Sequence, residues 1–259
     1  MRLPSLFGSG RNTSASPQPD SFDVEGILYA VGDVHGKLDL LKGMVARLRD
    51  DIEGGEASQP KKLIFMGDYV DRGEDSRGVL QFLSELSIPD CEIVFLRGNH
   101  EQQMIDFIDE PLTKKRWLDW GGMETLQSFD QPAIFATASD DALLKSSAAF
   151  REALGPLRQF VDQRMQIWRR EGNVIFSHAG MDPSLSIDQQ INKTMLWGSQ
   201  AFMERGGPEG FWHVHGHVIH DQPAVIGNRI AVDTGAYKSG VLTAARITSD
   251  GCAFLEHSE

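Results

Sequence analysis

Seven residues of types that bind metals or move protons each follow a short apolar run: Asp33, His35, Asp68, Asn99, His100, His178 and His217. Carboxylate, imidazole and amide oxygen together suit first-row divalent ions such as manganese, iron or zinc. Even with one of the seven set aside for proton transfer, six such donors are more than one ion needs, and a carboxylate can bridge. Two ions roughly 3.5–4 Å apart form a clamp for phosphoryl displacement, holding attacking and leaving oxygens in line.

The elements that must position these residues are legible as apolar runs ending at turn residues. Ile27–Val31 ends at Gly32-Asp33, Leu63–Met66 at Gly67-Asp68, and Ile93–Leu96 leads through Arg97 to Gly98-Asn99-His100. Val174–Phe176 ends at Ser177-His178, Trp212–Val214 at His215-Gly216-His217, and Ile230–Val232 runs into Asp233. Helical spacing occupies Leu38–Leu48 and Val79–Leu83, so strand–helix–strand alternation predicts parallel pairing of the first three strands. In such sheets ligands bind beyond the carboxyl ends of the strands, which predicts one shared site.

The remaining composition bounds the answer. A chain of 259 residues with 41% hydrophobic and 24% charged residues is an ordinary globular α/β protein. No apolar run is long enough to span a membrane, and a net charge of −12 argues against extended nucleic acid as a partner. Two cysteines, Cys91 and Cys252, make neither a disulfide framework nor a zinc cage, which fits a reducing, cytoplasmic setting. Residues 1–25 are rich in Ser and Pro and are expected to be a disordered leader, with 26–259 as one catalytic domain.

Three ordered motifs then become specific: Gly32-Asp33-Val34-His35-Gly36, Gly67-Asp68-Tyr69-Val70-Asp71-Arg72-Gly73 and Gly98-Asn99-His100-Glu101. With His178-Ala179-Gly180, Gly216-His217, the stretch Trp117–Leu126 and the segment Arg229–Leu242, the chain resembles the bacterial-type phosphoprotein phosphatase (PPP) family of calcineurin-like metallophosphoesterases. The resemblance implies a four-layer αββα sandwich of two mixed sheets, with a dinuclear metal site at the strand ends. It implies that Asp33, His35 and Asp68 hold one ion, and that Asp68, Asn99, His178 and His217 hold a second. A metal-bound hydroxide is then the nucleophile. His100 protonates the leaving alkoxide, Asp71 orients that imidazole, and Arg72 forks onto phosphate oxygens, with Asn99 beside it.

Several positions carry a plainer alternative. Asp33 alone reads as a turn former, and Asp71 with Arg72 as a surface ion pair. His215 competes with His217, which is favoured because the family places its ligand after the glycine. His213 and His220 read as packing or surface residues and His257 as tail. Trp117, Trp120, Trp168, Trp197 and Trp212 read as core or hinge, and Lys114-Lys115-Arg116 as a solvated face open to an anionic substrate. Two departures stand out. Relatives carry a second phosphate-binding arginine where this chain has Ser199, leaving Arg205 or Arg229 as substitutes, and Val218 stands where a threonine usually follows the histidine.

The expected function is hydrolysis of phosphoserine or phosphothreonine with two divalent ions, manganese first. The alternatives are a symmetrical diadenosine polyphosphate hydrolase, another small phosphoester or phosphoanhydride hydrolase, or a weakly active phosphate-binding pseudo-enzyme. The expected partner is a phosphorylated protein or small phosphoester, with no membrane.

Overall fold

The computed structural model describes residues 16, 18–54 and 59–258. Alternation of side chains along each strand sorts the apolar residues into layers. Strand β1 (Ile27–Val31) sends Ile27, Tyr29 and Val31 to one face and Leu28 and Ala30 to the other. Strands β2 (Lys61–Phe65) and β3 (Cys91–Leu96) divide in the same way, and both pair parallel as expected.

One face of this sheet packs on helices α1 (Leu38–Gly54), α2 (Ser76–Glu85) and α3 (Asn99–Asp109). The other face meets a second sheet. The first sheet runs β11-β10-β1-β2-β3-β4, where β4 is Met165–Gln166, β10 is Val241–Thr248 and β11 is Gly251–Ser258. The second runs β5-β6-β7-β9-β8, comprising Trp168–Glu171, Val174–Ser177, Trp212–His215, Arg229–Ala231 and Ala224–Ile226 in that order. Each sheet mixes parallel and antiparallel pairs. Val174, Phe176, Val214 and Ile230 fill the space between the sheets against Leu28, Ile64 and Val94. Ile175, Met181 and Met195 form a smaller outer layer. The four-layer αββα arrangement is therefore present.

Most of the stretch expected to be a leader lies outside the described residues. Its described part packs on the second sheet: Phe22 stacks on Trp212 with ring centroids 4.4 Å apart, and Asp23 N–H donates to Asn173 Oδ1 at 2.8 Å. Phe22 and Val24 supply apolar anchors that the Ser/Pro-rich residues before them lack. Among the described residues no helix is long and apolar enough to cross a membrane.

His213, on the outer face of β7, gives the fold an acid-sensitive point. Its Nε2 sits 3.1 Å from the Pro208 carbonyl while its buried Nδ1 has no hydrogen-bond partner, and burial pulls its pKa down to about 4. Above the unfolded pKa, near 6.5, both states are neutral. Below it the unfolded chain takes up a proton that the folded chain refuses, so stability falls with pH, by about 2 kcal/mol at pH 5. Urea midpoints near pH 7.5 and pH 5 are expected to show a steeper loss for wild type than for His213→Gln; equal losses would contradict this role.

Candidate metal and phosphate site

Both sheets place three parallel strand ends at one edge. The chain leaving β1 carries Asp33 and His35, that leaving β2 carries Asp68, and β3 passes into the first turn of α3 with Asn99 and His100. From the second sheet, β6 delivers His178, β7 delivers His217 and β9 delivers Asp233. The turns are tight. Of the seven non-glycine residues with positive φ among the described residues, five are His35, Asp68, Asp71, Arg72 and His217. Such conformations persist only where the surroundings over-determine them, and they concentrate at functional sites. Two glycines permit the close approach: a Cβ on Gly98 would lie 2.0 Å from Asp68 Oδ1, and one on Gly216 the same distance from Asp33 Oδ1.

The imidazoles are pre-aimed. His35 Nδ1–H donates to the Val70 carbonyl at 2.8 Å and His178 Nδ1–H to the Met66 carbonyl at 2.9 Å, which frees Nε2 of each ring. His178 Nε2 lies 3.3 Å from Asp68 Oδ1 and 2.9 Å from Asn99 Oδ1, while His217 Nδ1 is 2.9 Å from the same Asn99 oxygen. Two groups of potential donors share Asp68: His35, Asp68 and His100, and Asp68, His178 and His217, the atoms of each within 4.8 Å of one another. Asp33 stands beside these groups. Its Oδ2 accepts from the His217 N–H at 3.0 Å, and its Oδ1 is buried with no hydrogen-bond partner.

The electrostatics suit a cation. Burial, then the charges of Asp233 and Asp68, push the Asp33 carboxyl well up. Burial opposes ionisation of Asp68 too, but His178, His100 and His35 hold it well below the usual carboxylate range. Burial lowers His35 to about 3 and, with His178 beside it, His217 to about 4, leaving both rings neutral as a ligand requires. The neutral imidazoles of His35 and His217, an ionised carboxylate shared by both donor groups and an orphaned buried carboxylate oxygen together fit divalent metal.

Beside this cluster lies a second device. His100 Nδ1–H donates to Asp71 Oδ2 at 2.7 Å, and Trp117 Nε1–H and Thr125 Oγ1–H reach the same carboxylate at 2.8 and 2.6 Å. Burial raises Asp71, yet three donors on one carboxylate fit its ionised form. Burial would deprotonate His100, but Asp68 and Asp71 outweigh it and raise the imidazole. Arg72 faces both rings, with Nη1 3.0 Å from His35 Nε2 and Nη2 3.1 Å from His100 Nε2, and its guanidinium lies 4.9 Å over the Tyr237 ring.

Arg205, expected as a second phosphate ligand, makes no side-chain hydrogen bond or ion pair with this cluster among the described residues. Ser199 Oγ caps the short helix Gln200–Arg205, whose end carries Arg205 toward Asp182, where its charge contributes to lowering that carboxyl. Arg229 is no substitute: it is buried against Phe202 and donates to the Met203 carbonyl at 3.0 Å. His215 faces Phe202 and His220, away from the cluster that His217 joins. Asp233, Trp117, Thr125, Glu101 and Tyr237 are supporting residues to which sequence reasoning gave no role. All five lay in stretches already singled out, but nothing local signalled the stacking of Tyr237 under Arg72.

Two sheets joined at one edge over clustered histidines and carboxylates define a metal-dependent hydrolase architecture. A family profile for calcineurin-like phosphoesterases matches residues 28–221, and the chain belongs to that family. It is 30% identical over 228 residues to serine/threonine-protein phosphatase 1 of Salmonella typhimurium LT2, covering 85% of this chain and 91% of that protein. It is 25% identical over 232 residues to the asymmetrical bis(5'-nucleosyl)-tetraphosphatase PrpE of Oceanobacillus iheyensis, covering 83% and 86%. A solved serine/threonine phosphatase from Saccharomyces cerevisiae shares the fold, with a TM-score of 0.53 at 16% identity over 95% of this chain and 84% of that one.

Proposed function

We propose that this phosphoesterase hydrolyses phosphoserine and phosphothreonine monoesters. The observation that carries the reading is the His100–Asp71 pair, 2.7 Å apart and buried. Serine and threonine leave as poor alkoxides, which need a proton as the P–O bond breaks, and an imidazole whose charged form a fixed carboxylate stabilises is suited to supply one once Arg72 turns from its Nε2 to the phosphate. The terminal phosphate of a polyphosphate leaves far more readily, so an anhydride gains less from such an acid. Relatives of the second kind are named asymmetrical, so a tetraphosphatase reading points to asymmetrical rather than symmetrical cleavage.

Asp33, His35 and Asp68 would hold one divalent ion, and Asp68, Asn99, His178 and His217 a second, manganese before iron or zinc. Asp33 joins the first group because its buried Oδ1 lacks any hydrogen-bond partner. Bound ions supply a nucleophile at neutral pH and neutralise phosphate charge. Arg72 holds the phosphate oxygens with its planar fork, fixed over Tyr237. His100 then passes its Nε2 proton to the leaving oxygen, and Asp71 stabilises the imidazolium before transfer. Asp71 is itself fixed by Trp117 and Thr125.

One preparation with manganese, assayed on a phosphoserine peptide, p-nitrophenyl phosphate and diadenosine tetraphosphate, tests the reading. Turnover of the peptide and the aryl ester above the dinucleotide is expected. Preferential cleavage of the dinucleotide would overturn it, and metal binding without any turnover would favour a pseudo-enzyme.

A further inference from the structure

The grip on phosphate is short of one partner. Ser199 stands where relatives carry a second arginine, and neither expected substitute takes its place: Arg205 faces Asp182, and Arg229 donates to the Met203 carbonyl. Lys37 is paired with Glu74 at 2.9 Å and Lys114 with Asp106 at 3.4 Å. Arg72 faces both His35 and His100, but a planar fork engages two phosphate oxygens and leaves the remainder to other donors.

Tyr237 is placed to supply such a donor. Its ring meets the His35 imidazole edge to face with centroids 5.3 Å apart, and the Arg72 guanidinium lies 4.9 Å from its centre. With Arg72 it lines an open cavity of about 410 Å³. The chain has three tyrosines. Tyr29 donates its hydroxyl to Asp51 and Tyr69 to the Leu96 carbonyl, whereas the Tyr237 hydroxyl has no acceptor among the described residues. The segment carrying Tyr237 is fixed from within. Gly235 N–H donates to Asp233 Oδ1 at 2.8 Å, and Thr234 Oγ1 lies 2.8 Å from Thr243 Oγ1 and 2.9 Å from the Val241 carbonyl. The N–H groups of Lys238 and Ser239 both close onto the Gly235 carbonyl at 2.8 Å. A donor held by its backbone gives up little freedom on binding.

We infer that the Tyr237 hydroxyl is a phosphate ligand of this centre, the uncharged counterpart of the arginine that Ser199 replaces. A phenol O–H donates one directed hydrogen bond and, unlike a guanidinium, brings no charge. One side chain then does two things: its ring seats the Arg72 fork, and its hydroxyl meets an oxygen that the fork leaves free. The inference rests on the proposed function only in placing the phosphate at Arg72.

The test titrates the full chain, with manganese, with inorganic phosphate, a ligand that has no leaving group. Affinity is read by calorimetry and by inhibition of p-nitrophenyl phosphate hydrolysis. Tyr237→Phe keeps the ring under Arg72 and removes only the hydroxyl. It is expected to weaken phosphate by about tenfold, the worth of one hydrogen bond to a charged group, with metal content and melting temperature as in wild type. Tyr237→Leu, which also unseats Arg72, is expected to weaken it further. Ser199→Arg restores the arginine, and in that background the effect of Tyr237→Phe is expected to shrink to about twofold, as two donors to one oxygen require. Because Ser199→Arg forfeits a helix cap, each loss is taken within its own background. Unchanged phosphate affinity in Tyr237→Phe overturns the inference. So does a loss seen only in Tyr237→Leu, which would assign the effect to the ring, and so does an undiminished loss in a folded Ser199→Arg background. If a phosphoserine peptide is not hydrolysed while Tyr237→Phe still weakens phosphate, the proposed function fails and the ligand assignment stands.

Discussion

Replacing His100 by asparagine is expected to slow hydrolysis of a phosphoserine peptide by about 10²- to 10⁴-fold, the usual worth of a positioned general acid. The same variant is expected to lose far less on p-nitrophenyl phosphate, whose aryl oxide leaves without a proton. The contrast between the two substrates separates acid catalysis from damage to the site, because misplaced metal or a disturbed Arg72 would slow both equally. His100 is a suitable residue for this test because its backbone N–H, which donates to Asp68 Oδ1 at 3.1 Å, survives the substitution. Metal content measured after gel filtration is expected to match wild type. Equal losses on both substrates with full metal content would remove His100 from the acid's role.

Replacing Glu101 by alanine is expected to cost on the order of 3–5 kcal/mol of stability, the largest effect outside the apolar core. Its fully buried carboxylate accepts from four backbone donors: Gly98 and Asp68 at 2.9 Å, Tyr69 at 2.7 Å and Val70 at 3.1 Å. Those donors belong to two loops, one carrying Asp68 and the other Asn99 and His100. Alanine would strand all four N–H groups where water cannot reach them. Glutamine would keep an acceptor for one pair and turn an amide N–H₂ against the other, so an intermediate loss is expected. Urea unfolding measures both. An alanine variant within about 1 kcal/mol of wild type, the worth of one ordinary hydrogen bond, would show that the loops hold without the clamp.

The first three parallel strands, the start of α1 and the edge where the site forms were readable because each apolar run ends within two residues of a potential donor or of a glycine that precedes one. Strands without that pattern were not. Trp168–Glu171 reads as a charged segment, and Gly251–Ser258 is half exposed along its length. Within the site, ligand types announce themselves locally, but their support does not. Trp117 and Thr125 reach Asp71 across 46 and 54 positions, distances over which no local spacing rule operates. Arg205 was hard to read for a related reason: proximity in sequence to the missing arginine says nothing about which groups the end of a short capped helix faces, here Asp182.

The joining of two sheets at one edge has a consequence for the making of the protein. Asp33 receives its hydrogen bond from His217, 184 residues later in the chain, and the Met66 carbonyl waits for His178, 112 residues on. At typical rates of synthesis the first interval lasts roughly 10–40 s. Throughout it the nascent chain carries acids and imidazoles from its first three strands with no opposing half. The chemistry is switched on by completion of the fold, so a truncated or stalled product holds most of the motifs and none of the activity.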